Sequence, residues 1–216
     1  MTTGSPMRLA RARSAYAASA VAILVWLAAL ATNGASGGWD PAILAQFQLS
    51  PRSSLVRPAQ LLTQLGGWIP LTIIGLIGFG VLAVRRRRRA ALLLFILFGG
   101  RLLVELQKWV IAAPRPPASG FLAPVESLGF PSAHAANSMI TFVGIALLVP
   151  VVRRRRAFAV AIGFTLAVLI GLSRLLLGVH WPSDVIGGWA FALFWIALCI
   201  RLASAPPDAE APVAGR

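Results

Sequence analysis

The sequence predicts an all-α polytopic membrane protein, with six transmembrane helices in one bundle and both termini in the cytoplasm. Hydrophobic residues make up 58% of the 216 residues and charged residues 12%, with a mean hydropathy of +0.80, whereas soluble domains carry about 25% charged residues. Several apolar runs approach the length of about 20 residues that a helix needs to cross a membrane. Strand-like alternation is missing, so helices are the predicted spanning elements.

The six predicted spans account for most of the chain. They extend over residues 15–32, 67–84, 90–112, 135–152, 157–177 and 185–203. Together they form one predicted transmembrane domain, residues 15–203, between a cytoplasmic segment, residues 1–14, and a proline-containing disordered cytoplasmic tail, residues 204–216. The arginine-bearing start is also typical of a secretory signal peptide, but its apolar run is long for one, so we expect the first helix to be retained.

The net charge of +14 is distributed between the spans rather than gathered in one patch. Arginines precede the first span, fill residues 85–89 and 153–156, and end the sixth span. Because these groups alternate with the spans, they lie on one side, which the positive-inside rule identifies as the cytoplasm. Such charges mark topology and contact anionic lipid. We therefore expect a protein of the inner (plasma) membrane, surrounded by the lipid bilayer and without a nucleic-acid partner.

Residues 34–66 are predicted to form a long extracytoplasmic loop, because three prolines interrupt them. Arg52 and Arg57 lie in this loop, against the charge trend of the other connections. We interpret them as solvated loop charges, and contact with a lipid headgroup or a second phosphate is the alternative.

Three short polar clusters interrupt the apolar sequence at the predicted extracytoplasmic ends of the spans. The first runs from Lys108, the only lysine of the chain, to Arg115; the second is residues 131–134; the third is residues 174–184. Ionisable residues close to membrane spans are costly enough to indicate function. Three clusters at one end of a bundle predict one site.

The basic side chains of these clusters predict an anionic ligand. Lys108, Arg115 and Arg174 are three cations with few acids nearby. The guanidinium fork binds tetrahedral oxyanions through two hydrogen bonds, and the ammonium adds a point charge, so phosphate is the expected ligand. Ser132 is the predicted N-cap of the fourth span, whose first backbone N–H groups would face the same anion.

Both histidines of the chain fall in these clusters and predict nucleophilic chemistry. Pro182 suits the first turn of the sixth span, which would bring the Asp184 carboxylate back towards His180. A carboxylate that holds one imidazole nitrogen as a donor leaves a lone pair on the other, and that nitrogen can attack phosphorus. His134 would protonate the departing oxygen and later deprotonate the attacking water.

The order and spacing of the clusters resemble the type 2 phosphatidic acid phosphatase superfamily over the last four spans. The matching residues are Lys108, Arg115, Pro116, Pro131, Ser132, Ala133, His134, Ser173, Arg174, His180 and Asp184. Three motifs in order are far more specific than any one of them. The resemblance implies a six-helix membrane phosphatase that needs no metal or other cofactor.

The resemblance also implies a role for each matching residue. His180 is expected to be the nucleophile, Asp184 the residue that orients it, and His134 the general acid. The phosphoryl oxygens are expected to be held by Lys108, Arg115, Ser132 and Arg174, with Ala133 in the same phosphate-binding turn.

Two matching positions raise a structural question. Ala133 stands where the family usually has glycine; a Cβ is harmless there at negative φ and costly at positive φ, so we predict negative φ. Two roles are possible for the Ser173 hydroxyl: it donates a hydrogen bond to the phosphate, or it donates one to a backbone carbonyl of its own helix.

Arg101, Glu105 and Lys108 recur at positions i, i+4 and i+7 and therefore share one face of the third span. We interpret Arg101 and Glu105 as a buried pair that neutralises itself inside the bundle. The alternative is that Glu105 positions Lys108.

The predicted function is the metal-independent hydrolysis of a lipid phosphate or diphosphate through a phosphohistidine, at the extracytoplasmic face and without an obligate protein partner. Candidate substrates are undecaprenyl diphosphate, phosphatidate and phosphatidylglycerophosphate. A phosphotransferase on the same scaffold is the alternative. A metal enzyme or transporter built on the two histidines and Asp184 is disfavoured, because three adjacent cations would repel a bound metal.

Overall fold

The computed structural model describes residues 6–33, 38–84, 86–125, 127–150 and 152–204, and within these ranges the chain is helical without strands. The elements are α1 (Pro6–Ala31), α2 (Trp39–Phe47), α3 (Val56–Gln64), α4 (Trp68–Ala83), α5 (Arg87–Ile111), a 3-10 turn (Ala118–Gly120), α6 (Ala133–Leu148), α7 (Arg153–Leu176) and α8 (Pro182–Ser204). The all-α prediction is confirmed. Residues 205–216 of the predicted tail and residues 1–5 lie outside the described ranges.

Each of the six predicted spans coincides with a helix, namely α1 and α4 to α8. α5, α7 and α8 are long and apolar enough to cross a membrane, and α3 with α4 passes the same test as one span bent by 45°. The apolar part of α1, Ala17–Ala31, and α6 are shorter. Three spans, or four with the bent pair, therefore meet the length and composition criterion among the described residues. Six spans and cytoplasmic termini stay predictions.

The prediction of one long loop over residues 34–66 is wrong, because α2 and α3 lie within it. Pro41 and Pro58, which indicated a loop, each occupy the third position of a helix. A proline is tolerated there, since the N–H groups of the first turn have no acceptor within the helix. Both helices are short and are held by burial of one face: Leu44 of α2 is 4% exposed, and Ala59 of α3 is 4% exposed.

α6 is the central helix of the bundle and packs against α5, α7 and α8. Its core contacts include Met139 and Ile140, which pack with Ile96 of α5 and Ile196 of α8. Around this core, α1 packs on α8, α4 on α5, and α3 on α7. Large apolar side chains such as Leu102 remain exposed on the outside of the bundle, as expected for surfaces that face lipid.

Two glycines let neighbouring helices approach the backbone of α6 closely. A Cβ added to Gly163 of α7 would lie 2.9 Å from the carbonyl oxygen of Phe142, and one added to Gly188 of α8 would lie 2.9 Å from that of Ser132. Neither carbonyl can move without disturbing α6, so a larger residue would push the helices apart. The second contact fixes α8 against the start of α6.

The C-terminal ends of α5 and α7 meet the N-terminal ends of α6 and α8 at one end of the bundle. Backbone hydrogen bonds join them: the amide of Gly129 donates to Ala113 O, and the amide of Ser132 donates to Asp184 O, both at 2.9 Å. This arrangement brings the three polar clusters of the sequence together.

Candidate active site

A cavity of about 420 Å³ lies at this end of the bundle and gathers residues from all three clusters. Six of the predicted site residues carry a charge or a titratable ring, and five of these line the cavity: Lys108, Arg115, His134, Arg174 and His180. Ala133 lines it beside them. A second cavity of about 720 Å³ shares His134 and Arg174 with the first. The exposed Arg57 lines this second cavity, whereas Arg52 is exposed and lines neither.

His180 lies in the connection between α7 and α8 and is 1% exposed. Its Nδ1 is 2.9 Å from Asp184 Oδ2, and its Nε2 is 3.1 Å from Arg115 Nη1. Since a guanidinium only donates, Nε2 accepts, and the ring proton must be on Nδ1, where it is donated to Asp184. Burial, and after it the charge of Arg115, holds the pKa of His180 well below its usual range. The ring is therefore neutral, with its lone pair facing the cavity wall.

Asp184 lies in the first turn of α8, which begins at Pro182 as predicted. Besides the His180 ring, its carboxylate accepts the Trp181 amide at 2.9 Å and the Asn33 side-chain amide at 2.7 Å. Asp184 lies behind His180 and does not line either cavity. Its position suits a residue that orients the imidazole rather than one that touches a ligand.

Asn33 and Asp40 support this arrangement, and the sequence analysis did not find them. Asp40 of α2 is fully buried and accepts hydrogen bonds from the amide and hydroxyl of Ser183, the residue before Asp184. Asn33, just after α1, also donates to Ser183 Oγ at 2.8 Å. Both residues are remote in sequence from the clusters and belong to no motif. The only available signal was that Asp40 is one of six acids in the chain.

Lys108 is 2% exposed and lies in the last turn of α5. Its ammonium donates to the carbonyl oxygen of Leu128, with Gly129 O at 3.5 Å, so the segment before α6 holds it in place. α5 ends at Ala112, whose φ of 49° is left-handed and whose amide donates to Lys108 O at 2.9 Å. This cap turns the chain so that Arg115 comes back to the cavity.

The guanidinium of Arg115 donates hydrogen bonds to backbone carbonyl oxygens of two different segments. Its Nε donates to Ser127 O at 2.6 Å, and Nη1 donates to Val179 O as well as to His180. Burial lowers the pKa of Arg115, and the charge of Asp184 opposes that effect. The guanidinium covers the lone pair of His180, since its Nη1 lies 3.1 Å from Nε2.

Arg174 lies in the last turn of α7 and is 4% exposed. Its Nη1 donates to Thr63 Oγ1 of α3 at 2.8 Å. Its Nε is buried and has no hydrogen-bond partner among the described residues. A buried charged donor without an acceptor is costly, and a ligand oxygen would satisfy it.

The start of α6 matches its prediction in backbone but not in the Ser132 side chain. Ser132 is the N-cap residue, yet its hydroxyl makes no capping bond and no hydrogen bond to any described residue. It is completely buried and does not line either cavity, so the structure places it behind the wall. Among described residues, Ala112 is the non-glycine residue with positive φ, which confirms negative φ at Ala133.

His134 lies in the first turn of α6 and faces both cavities. In the part of the chain that the structure describes, its ring nitrogens make no hydrogen bond. An added Cβ on Gly66 would lie 3.1 Å from its ring, so the connection between α3 and α4 covers one side of it. The ring is thus open to a ligand and to water.

The remaining polar predictions have mixed outcomes. Ser173 Oγ donates to Ile170 O at 2.6 Å, so this residue bonds back to its own helix. The interpretation of Arg101 and Glu105 as a buried pair is wrong, since no ion pair joins them; the one within the described residues is that of His180 and Asp184. Arg101 instead contacts α4, and both residues line the cavity of the histidines.

Comparison with known proteins places this geometry in a family. Residues 89–206 match the PAP2 superfamily. Phosphatidylglycerophosphatase B of Bacillus subtilis is 31% identical over 177 residues, which are 79% of this chain and 85% of that protein. An undecaprenyl-diphosphatase of Sulfolobus acidocaldarius is 31% identical over 147 residues, 65% of either protein.

A solved structure agrees with the sequence comparison. The crystal structure of a transmembrane PAP2 type phosphatidylglycerolphosphate phosphatase from Bacillus subtilis superposes with a TM-score of 0.75 at 28% identity, over 85% of this chain and 94% of that one. The family match covers more than half of the chain and includes every polar cluster described above. The chain belongs to the PAP2 superfamily.

Proposed function

We propose that this protein hydrolyses a lipid phosphate or diphosphate through a phosphohistidine on His180. The observation that carries the proposal is the pair of contacts made by the His180 ring, with Asp184 at Nδ1 and Arg115 at Nε2, beside a cavity lined by cations. These partners place the ring proton on Nδ1 and the lone pair on Nε2. A neutral imidazole oriented in this way is a nucleophile for phosphorus.

In the first step, Nε2 of His180 attacks the phosphorus atom and the bond to the lipid oxygen breaks. His134 gives its proton to that oxygen, so the lipid leaves as an alcohol or, from a diphosphate, as a monophosphate. The negative charges of the bound phosphate favour the protonated form of His134 when it is needed. Asp184 stabilises the positive charge that develops on the His180 ring.

In the second step, water attacks the phosphohistidine. His134, now neutral, takes a proton from the water, the N–P bond breaks, and inorganic phosphate leaves with His180 restored. His134 suits both steps, since its ring makes no hydrogen bond to any described residue and lines both cavities.

Three cations are available to stabilise charge on the transferring phosphoryl group. Arg174 Nε has no hydrogen-bond partner among the described residues, and Arg115 can turn from His180 to the phosphate oxygens. Lys108, fixed by two carbonyls, adds a positive charge at the same wall. We propose Ser132 as a ligand only through the backbone turn that it begins, because its hydroxyl lies behind the wall.

The cavity also has an apolar part that suits a lipid. From the histidines it continues between α4 and α5 to side chains such as Leu76, Leu97 and Phe98. Relatives are named for lipid substrates, including undecaprenyl diphosphate and lipid A 1-phosphate. We propose an extracytoplasmic site in a six-span protein of the plasma membrane, on the basis of the arginine-rich connections at the opposite helix ends.

The test is phosphate release from purified protein with a panel of lipid phosphates, in the presence of a chelator and without an acceptor alcohol. We expect the parent to release phosphate and His180→Ala to lower the rate of release by at least about 1,000-fold. Losses of this size are typical when a nucleophile is removed from a group of catalytic residues that act together. Unchanged turnover in the variant would remove the proposed nucleophile. Release that requires an acceptor would indicate a transferase, and loss in chelator a metal enzyme.

A further inference from the structure

We propose that the active site has a second entrance, through which inorganic phosphate and water exchange with the surroundings, and that Arg57 binds phosphate at its outer end. This inference rests on the proposed function, because the phosphate in question is the product of the phosphohistidine reaction. It assigns a role to the second cavity, of about 720 Å³, and to an arginine that the catalytic chemistry leaves unused.

The two cavities meet at catalytic residues and lead away from them along different elements. Both are lined by His134 and Arg174. The first continues between α4 and α5, where Leu76 and Phe98 are 53% and 60% exposed on the apolar surface of the bundle. The second lies between α3, the start of α4 and residues 123–124. A ligand can therefore approach His134 from two directions.

The second cavity differs from the first because the polar face of α3 lines it. Arg57, Gln60 and Gln64 recur at positions i, i+3 and i+7, so they share one face of this helix, and all three line the cavity. Gln60 Nε2 donates to Leu122 O at 2.8 Å, which holds α3 against the segment that forms the opposite wall. This face of α3 suits water and a small anion better than a hydrocarbon chain.

Arg57 and Arg174 place a cation at each end of the second cavity. Arg57 is exposed in the first turn of α3 and joins no ion pair with a described residue. Arg174 is 4% exposed and donates to Thr63 Oγ1 at 2.8 Å, while its Nε has no hydrogen-bond partner among the described residues. Thr63 follows Arg57 by six residues, which is about 9 Å along the helix axis. A phosphate released at the buried end would therefore meet a second cation on its way out.

The second step of the reaction requires such a route. Water must reach phosphorus on the side from which the lipid oxygen has left, where His134 acts, and inorganic phosphate must then leave as an anion. Moving an anion along an apolar, lipid-facing path is costly, because hydrocarbon offers neither hydrogen bonds nor a countercharge. A path from Arg174 to Arg57 avoids that cost, and it stays open while the lipid alcohol still occupies the first cavity.

Oxygen exchange between inorganic phosphate and water labelled with heavy oxygen tests the entrance without any lipid. Phosphate enters, His180 Nε2 forms a bond to phosphorus, and the phosphate hydroxyl leaves as water after taking a proton from His134. Labelled water then attacks phosphorus, His134 takes a proton back, and the N–P bond breaks. The phosphate leaves with a heavy oxygen, and its mass spectrum gives the exchange rate at low phosphate concentration.

The second assay is kcat/KM for a lipid phosphate in detergent micelles, which reports the steps up to release of the lipid alcohol and not the release of phosphate. The readout is the ratio of the exchange rate to this kcat/KM. Arg57→Gln should lower the ratio about three- to tenfold, because a charge-assisted contact with the entering phosphate is lost at an exposed position. Leu76→Trp, at a position that lines the first cavity and not the second, should raise the ratio.

The control for Arg57 is Arg52→Gln. It removes an exposed arginine of the same connection that lines neither cavity, so the ratio should stay unchanged. A steric test is Gln64→Trp, at an exposed position that lines the second cavity and not the first. This substitution should narrow the entrance and lower the ratio as Arg57→Gln does, with thermal unfolding as the check on folding.

An unchanged ratio in Arg57→Gln and Gln64→Trp, or an equal fall in Arg52→Gln, would overturn the second entrance. A fall in lipid kcat/KM as large as the fall in exchange would also overturn it, and would make Arg57 a contact of the lipid headgroup. A parent that hydrolyses lipid phosphate but exchanges no free phosphate would contradict the inference alone. If the parent does neither, the proposed function itself fails.

Discussion

His180 and His134 face the same cavity, but His180 is held by hydrogen bonds at both ring nitrogens and His134 by none within the described residues. The surroundings of His180 are supported from three elements, since Asp184 of α8, Asp40 of α2 and Asn33 after α1 share one hydrogen-bond network. Those of His134 are open on two sides to cavities.

The difference corresponds to two different chemical tasks. A nucleophile must keep one tautomer and one orientation, which a buried carboxylate and its donors enforce. A group that first protonates a leaving oxygen and then activates water must reach both, so it benefits from free ring nitrogens. Variants around the two histidines should therefore fail in different ways.

The largest effect is expected where the tautomer of His180 is fixed. Asp184→Asn removes the carboxylate that accepts the Nδ1 proton, so Nε2 loses its lone pair in part of the molecules. We expect kcat to fall about 1,000- to 10,000-fold, the size found when a carboxylate that orients a catalytic histidine is replaced. Steady-state phosphate release measures it, with thermal unfolding as the check on folding. A fall below tenfold would contradict the role of Asp184.

Replacing His134 should slow turnover and separate the two steps. His134→Gln removes the acid and the base, for an expected loss of about 100- to 10,000-fold in kcat. With a diphosphate substrate, whose leaving group needs less protonation, a phosphohistidine on His180 should accumulate and be detected by mass spectrometry after an alkaline quench. The double variant with His180→Ala should show no such adduct, and an adduct there would place the nucleophile elsewhere.

Asn33 tests the network behind Asp184. In Asn33→Ala the carboxylate loses its Oδ1 donor at 2.7 Å, so we expect kcat to fall roughly 10-fold, with KM changed much less, because one charge-assisted hydrogen bond is lost. Thr32→Ala, which removes only the hydroxyl contacts to Ala28 O and Ala29 O at the end of α1, is the matched control. Equal effects of the two substitutions would mean that the end of α1 matters only for folding.

The pH dependence of the reaction reports on Arg115. Because burial and Arg115 lower the pKa of His180, its neutral form persists as the pH falls below 6.5. After correction for titration of the substrate phosphate, the acid limb of kcat/KM should lie below that pH. Arg115→Gln removes one cause of the lowered pKa, so the limb should move upwards even though the overall rate is lower. A downward shift would contradict the contact between Arg115 and His180.

The smallest effect is expected at Ser173. Its hydroxyl donates to Ile170 O inside α7, so Ser173→Ala removes a local bond and no ligand. Phosphate release should stay within about twofold of the parent, the range expected for a residue whose hydroxyl bonds its own helix. A loss of activity comparable with that of Asn33→Ala would indicate that the Ser173 hydroxyl contacts the phosphate.

The accuracy of the sequence predictions varied with the range of the interaction on which each depended. Five of the six apolar helices were located to within four residues at each end, because apolar runs of this length have few other structures available in a membrane. The exception is α1, which begins at Pro6, nine residues before the predicted start. The loop over residues 34–66 was predicted wrongly, since α2 and α3 are short and are stabilised by burial of residues such as Leu44 against distant parts of the chain. In addition, a proline is compatible with the first turn of a helix and with a loop, so Pro41 and Pro58 did not distinguish the two.

The site shows the same division. The motif residues were found because their types and spacings are local, and the structure gathers Lys108, Arg115 and both histidines at one cavity. Whether Ser132 faces that cavity could not be read from its position at a helix start, because the direction of a hydroxyl depends on what packs around it. The same holds for Arg101 and Glu105, whose helical spacing allows an ion pair that the structure does not form.

The sequence by itself determined the helices, the charge pattern along them and the identity of the reacting groups, because hydrophobicity, spacing and side-chain chemistry are properties of the chain. Only the tertiary structure decided which nitrogen of His180 carries the proton, since that depends on Arg115 from one segment and Asp184 from another. It also decided that Asn33 and Asp40 support the site. Their contacts join residues about 150 positions apart, and such contacts exist only once the helices have packed.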